Sequence, residues 1–372
     1  MNKWTFPTQI YAGPDSLNRL TEFNNESILI ICDPFLKDSP SLTYVMGLMD
    51  SKNKVTIYTD VVPDPPITHV VKGIEFMGGI KPTVIIAIGG GSCIDMSKGI
   101  AYFGRKLKHM DIKSFIAVPT TSGTGSEVTS FAVLTDSETQ IKYPLVDDAV
   151  LPDEALLTPL FVKTSPPNVT AFSGMDVLVH ALEAYVATAA NNFTDALAQQ
   201  AIELVFEYLP KCHKPTATEQ DRMSMHEASC LAGLSFNKAG LGIVHAMAHQ
   251  LGGQFHVPHG LANSMLLPYV IGFNCSRNQE VAKKYAHLSA KLGYASHKAS
   301  DGDKLGALLE AIVKLQRTLE CPMTLTEFGV DKATSEAKLN LMADRALEDM
   351  CYRFNPYPAN HDDLIGLYKK VL

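Results

Sequence analysis

Between Lys238 and Arg277 the chain carries no Asp, Glu, Lys or Arg, yet four of its twelve histidines, His245, His249, His256 and His259, fall there. A stretch this apolar is bound for the interior, and imidazoles are costly to bury unless something pairs them. His245 and His249 lie one helical turn apart and share a face. Gly252 and Gly253 are expected to end that helix, so that the chain turns back through Gln254 to Pro258. His259 then heads a second apolar helix that can return near His245. The fold must accommodate a helical corner with its histidines facing inward.

A second constellation lies upstream in SGMDVLVHALEAYV, where Asp176 and His180 share one face of another apolar helix. Glu183 is the only further charge nearby. One carboxylate and three imidazoles from two such helices and a turn form a suitable first shell for Zn(II) or Fe(II). Taken singly, each histidine reads as a hydrogen-bonded core residue. Taken together with a buried Asp they read as a metal site, because one cation satisfies them all.

A chain of 372 residues exceeds what one small core organises, so two domains are expected. Hydrophobic content of 46% and a net charge of -7 give no basic footprint, which excludes nucleic acid as an expected partner. Seven cysteines without a C-x-x-C pair suggest reduced thiols. The opening MNKWTFPTQIYAG lacks a secretory pattern, and no apolar run reaches membrane-spanning length. A cytoplasmic protein with no membrane partner is expected.

The first part alternates short apolar strands with helical segments. Ser27–Cys32, Lys54–Tyr58, Thr83–Ile88 and Ser114–Val118 read as buried strands, which predicts an α/β domain with a mostly parallel, Rossmann-like sheet. The third strand runs into Gly89-Gly90-Gly91-Ser92 and then a helix over Ile94–Phe103, an order that lets backbone approach a diphosphate at a helix N-terminus. Asp33, ending the first strand, stands where a carboxylate binds a ribose diol and repels a 2′-phosphate, favouring NAD over NADP. The glycines also suit a plain tight turn and Asp33 a solvated turn before Pro34, so spacing alone leaves both readings open. After the fourth strand, Pro119-Thr120-Thr121-Ser122-Gly123-Thr124-Gly125-Ser126-Glu127 offers hydroxyls and pliant backbone to a dinucleotide. Lys142 follows an apparent hairpin through Asp136 to Gln140, placed either to neutralise cofactor charge or to lie exposed.

Near Pro166-Pro167 strand-like segments give way to helical periodicity over Asp195–Leu209, Glu219–Phe236, Asn278–Leu292, Leu305–Leu319 and Ser335–Met350. The expected domains are 1–166, dinucleotide-binding, and 167–372, helical and metal-binding, with the active site in the cleft between them. The charge-free segment lacks the cationic clamp that a phosphate or carboxylate would need, so a small neutral substrate is expected. Phe172, Met175, Phe255 and Leu261 are either pocket wall or ordinary core.

GGGSCIDMSK at 89–98, PTTSGTGSEVT at 119–129, SGMDVLVHALEAYVA at 173–187 and GLGIVHAMAHQLGGQFHVPHGLANS at 240–264 together resemble the iron-containing, group III alcohol dehydrogenases. The likeness covers essentially the whole chain and is closest to the propanol dehydrogenases of propanediol-utilisation operons. It implies that Asp176, His180, His245 and His259 hold Fe(II), with Zn as the alternative, and that His249 stands near the reacting carbon without binding metal. It further implies that Gly90, Gly91, Ser92, Thr120, Thr121, Thr124 and Lys142 contact NAD, with Asp33 on the adenosine ribose and Asp64 near the adenine. Asp95 matches a family position but also suits the dipole of its helix, and His256 reads as an outer or surface residue. The implied reaction is reversible hydride transfer between a small primary alcohol such as 1-propanol and NAD, with His249 placed to relay the proton or to orient the nicotinamide. A homodimer, and partnership with microcompartment proteins, belong to the same resemblance. The alternatives are a metal-dependent lyase or cyclase of the dehydroquinate-synthase type, a glycerol or diol dehydrogenase, and a non-catalytic nucleotide- or metal-binding protein.

Overall fold

Residues with branched apolar side chains and no interior polar partner build the first half around one sheet. The computed structural model describes residues 5–136 and 142–372, the side chain of Lys142 excepted, and the chain divides into two units between Ser165 and Pro166, one residue before the expected boundary. The strands of the first unit are β1 (Gln9–Ala12), β2 (Ser27–Cys32), β3 (Lys54–Tyr58), β4 (Val84–Gly89), β5 (Ser114–Pro119), β6 (Phe131–Thr135), β7 (Lys142–Val146) and β8 (Glu154–Leu157). Six of them form a parallel sheet in the order β1-β8-β5-β4-β2-β3. β6 and β7 pair antiparallel as a separate hairpin, whose connecting residues 137–141 lie outside the described residues. The short β1 and β8 carry too few residues to announce themselves by pattern, and the sequence reading passed over both.

Side chains alternate across the sheet. Ile28, Ile30, Ile86, Ile88, Ile116 and Val118 enter one core, while Leu29, Ile31, Ile85, Ala87, Phe115 and Ala117 enter the other. Burial on both faces is what a parallel sheet covered by helices requires, and it explains why these strands read as unbroken apolar runs. The covering helices include α1 (Pro40–Leu48), α2 (Ile67–Ile80) and α3 (Gly91–Lys108), followed by the single turn α4 (Pro159–Val162). α3 starts three residues earlier and runs five further than expected.

The strand order fixes where a ligand can be read. From β2 the chain moves to β3 on one side, then returns past β2 to β4 and onward to β5. The carboxyl ends of β2 and β4 therefore flank a topological switch point, the crevice where open α/β sheets bind ligands. Asp33 follows β2 and the glycine turn follows β4, so the order of strands brings these two segments together.

The second unit is helical: α5 (Pro167–Val186), α6 (Asn192–Cys212), α7 (Glu219–Ala239), α8 (Ile243–Phe255), α9 (His259–Arg277), α10 (Gln279–Lys291), α11 (Asp301–Thr318), the short α12 (Leu325–Phe328) and α13 (Lys332–Glu336), α14 (Leu339–Glu348) and α15 (His361–Tyr368). α5 is buried almost all round from Gly174 to Val186 and packs against α6, α7 and α9. No helix of the described residues is long and apolar enough to cross a membrane.

Two expectations are corrected. Gly252 and Gly253 do not break α8, which continues through both to Phe255; a helical glycine costs only about 1 kcal/mol, and Phe255 still packs on the core beyond them. The turn comes at His256, whose N–H makes the last helical bond to the Gly252 carbonyl and whose left-handed φ of 55° then carries the chain out of the helix. The helix expected over Ser335–Met350 is two, α13 and α14. The Ser335 hydroxyl bonds back to the Asp331 carbonyl, a contact that competes with continued helix.

Lys98 of α3 was not singled out by its sequence context, yet it is fully buried and braces the segment leading out of the Thr120–Glu127 loop. Its ammonium donates to the Thr129 carbonyl at 2.8 Å, the Thr129 hydroxyl at 3.1 Å and the Phe131 carbonyl at 2.8 Å. Burial holds its pKa down at about 8 despite Asp95 and Glu127. Lys98→Met should remove the ammonium from the buried Thr129 carbonyl and from Phe131 and cost on the order of 3 kcal/mol, read as a lower urea midpoint of the full chain; an unchanged midpoint would refute the bracing role.

Candidate metal centre and dinucleotide contacts

The helical unit brings together the four side chains that the resemblance implied. Asp176 and His180 project from α5, His245 from α8, and His259 is the first residue of α9. One ligand atom from each lies within 4.8 Å of the others. Asp176 Oδ1 is 3.8 Å from His245 Nε2 and 3.6 Å from His259 Nε2, and Asp176 Oδ2 is 4.0 Å from His180 Nε2. These gaps are too long for hydrogen bonds. They are close to the roughly 3.4 Å edge of a tetrahedron with bonds of about 2.1 Å.

Packing sets this geometry. α9 approaches α5 so closely that a β-carbon at Gly260 would lie 2.0 Å from the Phe172 carbonyl oxygen and 3.1 Å from Asp176 Cβ. Only glycine fits beside His259, and the contact presses His259 toward Asp176. His180 is sandwiched between Phe236 and His245, with ring centroids at 4.4 and 4.7 Å. The side chains of Asp176, His180 and His245 are 2–6% exposed, against 41% for His259, so the cluster opens to solvent at His259.

Asn263, one turn after His259, tests what belongs at the centre. Its amide nitrogen lies 2.7 Å from Asp176 Oδ1 and 3.1 Å from Nε2 of both His245 and His259. Two amide hydrogens cannot serve three acceptors, and Asn263 Oδ1 is buried without a partner. Lone pairs converging on one point, in a borderline nitrogen and oxygen donor set, fit a divalent cation. Burial, followed by the neighbouring imidazoles, pushes His245 well below its ordinary pKa and keeps it in the neutral form that a metal needs.

His249, one turn after His245, lies beside the cluster. Its ring stacks on His259 at 5.4 Å, and its Nδ1 is 2.7 Å from Asp349 Oδ2. Burial raises the Asp349 carboxyl, but His249 and the Cys351 amide outweigh it and leave the group below its ordinary range. Asp349 and Cys351 make a second donor group with His249, although the Nδ1 to Oδ2 spacing is that of a hydrogen bond. Glu183 is buried, with Oε2 at 2.6 Å from His245 Nδ1 and Oε1 accepting the Val244 N–H at 2.7 Å. Burial lifts its carboxyl to about 8 against the backbone N–H groups of Val244 and Gly242, and a cation held by the adjoining ligands would oppose that rise and favour the carboxylate. Met175 and Leu261 are core, Phe172 and Phe255 are partly buried against it, and His256 is an exposed helix end.

The sequence reading missed Asn263 and Asp349 and gave Glu183 no role. Two of the three had a signal. Glu183 is seven residues after Asp176 and Asn263 four after His259, each on the face of a ligand. Asp349 had none, since it meets His249 across 100 residues.

In the α/β unit Asp33, Asp64, the glycine turn and the threonine loop meet at the switch point. Asp33 Oδ2 accepts the Gly90 N–H at 3.2 Å, and Asp64, with φ of 49°, donates its N–H to Ser92 Oγ at 3.3 Å. The Thr120 N–H bonds the Gly89 carbonyl at 3.0 Å. β-Carbons at Gly90 and Gly91 would lie 3.4 Å from Thr121 Cγ2 and 2.6 Å from Thr124 Cγ2, so the glycine turn and the threonine loop touch. Burial raises the Asp33 carboxyl, opposed by the Gly90 N–H. Lys142 opens β7 opposite Thr135, and its side chain lies outside the described residues. Asp95 serves as a tie: it accepts the Ser126 hydroxyl at 2.6 Å and the Val133 N–H at 2.9 Å.

Comparison with known proteins agrees over the full chain. A family model described as iron-containing alcohol dehydrogenase matches residues 7–159, and one for the C-terminal part of the Fe-containing alcohol dehydrogenase family matches residues 170–372. The 1-propanol dehydrogenase PduQ of Salmonella typhimurium is 43% identical, with both chains covered completely. An NADPH-dependent butanol dehydrogenase of Clostridium saccharobutylicum is 38% identical, covering 100% of this chain and 98% of its own. The crystal structure of a 1,3-propanediol oxidoreductase superposes with a TM-score of 0.91 at 32% identity, covering 100% of both chains.

Gly260→Ala should displace the first turn of α9 and carry His259 away from Asp176. The expected outcome is loss of retained divalent metal after dialysis, with destabilisation of about 3 kcal/mol from the forced contact. Full metal retention would show that the α5 to α9 approach does not set the cluster.

Proposed function

The chain belongs to the iron-containing alcohol dehydrogenases, and from that premise we propose that it interconverts small neutral primary alcohols, 1-propanol among them, and their aldehydes, with NAD(H) as the redox partner. The observation that carries this reading is the closure of Asp176, His180, His245 and His259 around one point. A divalent ion held by these four, Fe(II) or Zn(II), supplies Lewis acidity at the alcohol or aldehyde oxygen.

The remaining roles fall to residues of the chain. Asp349 occupies Nδ1 of His249 and fixes the ring beside His259, leaving Nε2 as the nitrogen that exchanges a proton with the substrate hydroxyl. At 30% exposure His249 can pass that proton to solvent. Gly90, Gly91, Ser92, Thr120, Thr121 and Thr124 would contact the dinucleotide, Lys142 would neutralise its charge, and Asp64 would lie near the adenine. Asp33, tied to the Gly90 N–H, would take the ribose diol and disfavour a 2′-phosphate. That preference departs from the NADPH-dependent butanol dehydrogenase relative.

The segment between Lys238 and Arg277 supports a neutral substrate, since it offers no cation to a phosphate or carboxylate. A lyase acting on an acidic phosphorylated sugar, as in dehydroquinate synthases, is disfavoured on the same ground. We also propose a homodimer, supported by β1, an edge strand with Ile10 exposed that can pair with a second copy. Enclosure in a microcompartment stands with the propanediol-utilisation resemblance.

The test is aldehyde-dependent NADH oxidation by anaerobically purified, iron-loaded protein. Propanal should be reduced, NADH should outperform NADPH, and a chelator should abolish turnover that Fe(II) or Zn(II) restores. Turnover that survives complete metal removal would defeat the reading. His249→Ala should lower kcat about 100-fold at unchanged metal content; full activity at every pH would remove the proton-relay role.

A further inference from the structure

α8 begins without a cap of its own, since Gly242 offers no side chain to the exposed N–H groups of the first turn. Two residues from elsewhere do this work. Glu183 Oε1 accepts the Val244 N–H at 2.7 Å, and Asn355 Oδ1 accepts the Ile243 N–H at 3.3 Å. A β-carbon at 242 would lie 2.7 Å from the first acceptor and 2.8 Å from the second, so glycine is required for both to approach. Glu183 has a second oxygen, and Oε2 lies 2.6 Å from His245 Nδ1.

The far side of the same imidazole supplies an independent witness. His245 Nε2 faces the Asn263 amide nitrogen at 3.1 Å. An amide nitrogen carries only hydrogens toward its neighbours, so an Nε2–H would oppose it at this distance, and the contact favours the lone pair on Nε2 and the proton on Nδ1. Glu183 is then the acceptor of that proton. It stands three residues after His180 and seven after Asp176 on α5, so one helix face carries two candidate ligands and the group that orients a third.

We propose that Glu183 is a positioning residue that fixes which nitrogen of His245 meets the metal: Oε2 holds the Nδ1 proton, which presents bare Nε2 to the ligand cluster, while Oε1 anchors the first turn of α8 and so the height of the ring. This rests on the metal site of the proposed function. The carboxylate links helix capping and ligand orientation, so that His245 arrives in the required tautomer. Outer partners of this kind commonly change metal affinity by 10–100-fold when removed.

Glu183→Gln separates the two duties. A carboxylate accepts at both oxygens, whereas a glutamine amide accepts at one. If its oxygen keeps the Val244 N–H, its NH2 faces Nδ1 and drives the proton to Nε2, closing that nitrogen to a cation. If it turns to serve Nδ1, its NH2 meets the Val244 N–H. Competition with a chromogenic chelator for Zn(II) should show at least tenfold weaker binding than wild type, with the metal-free far-UV circular dichroism unchanged. Asn355→Ala, which removes the other cap and leaves His245 Nδ1 untouched, should bind Zn(II) within about threefold of wild type, because outer partners act through the ligand they orient.

Equal affinities of wild type and Glu183→Gln would overturn the inference and leave the metal site standing. Failure of wild type to bind any divalent ion would overturn the site and the inference together. Should the Gln variant fail to fold, nitrogen NMR of histidine-labelled, Zn-loaded wild type decides: a proton on His245 Nδ1 with the metal shift on Nε2 supports the role, and the reverse assignment ends it.

Discussion

The helical unit is organised by one approach of two backbones, α9 onto α5 at Gly260. A buried carboxylate such as Asp176 is tolerated only among groups that satisfy it, and those groups arrive from three helices. The absence of a side chain at position 260 lets His259 stand against the Asp176 wall, with Asn263 one turn behind it. His245 completes the set from α8, whose own start is held by Glu183 on α5. The site is thus a property of how α5, α8 and α9 pack. Its two outer groups, Glu183 and Asn263, contact opposite nitrogens of the same His245 ring.

The α/β unit meets a different demand, and does so with backbone more than side chains. The switch in strand order between β2 and β4 creates the crevice, and the Asp33 contact with the Gly90 N–H ties its two walls. The threonine loop closes on the glycine turn, and Asp95 and Lys98 of α3 hold the segment that follows it. Lys98 and Glu127 are buried ionisable groups whose pKa values burial moves to about 8 and about 7. Lys98 is tolerated here because its ammonium makes three fixed hydrogen bonds to Thr129 and Phe131, and its charge offsets that of Glu127.

Much of this was legible in the sequence, for physical reasons that differ by element. Ser27–Cys32 was readable to the residue because a strand buried on both faces runs apolar almost without interruption, and Lys54–Tyr58, an edge strand, because β-branched Val, Thr and Ile are set between polar turns. The paired His and Asp spacings were readable because a helix repeats its faces every three to four residues. β1 and β8 were not, since four residues cannot display a period. The glycine break assigned to α8 was wrong because propensity is a small term beside the burial of Phe255. Asp349 was invisible because only the tertiary fold carries it to His249, whereas Glu183 was in register with Asp176 and His180 and could have been found by extending the same face one more turn.

That register bears on what the site accepts. Asp176, His180 and Glu183 share a face of α5, and Asp349 reaches the cluster from beyond the charge-free segment. The charged side chains that touch these imidazoles directly, Asp349 on His249 and Glu183 on His245, are carboxylates. A cation at the centre is attracted by Asp176 and balanced by it, while an anionic group on a substrate would meet Asp349 beside His249 with no Arg or Lys supplied by residues 239–276. Like charges at close range in a poorly solvated setting repel by several kcal/mol. The proposed preference for neutral substrates rests on this balance of charge, and it does not depend on which of the two metals the site carries.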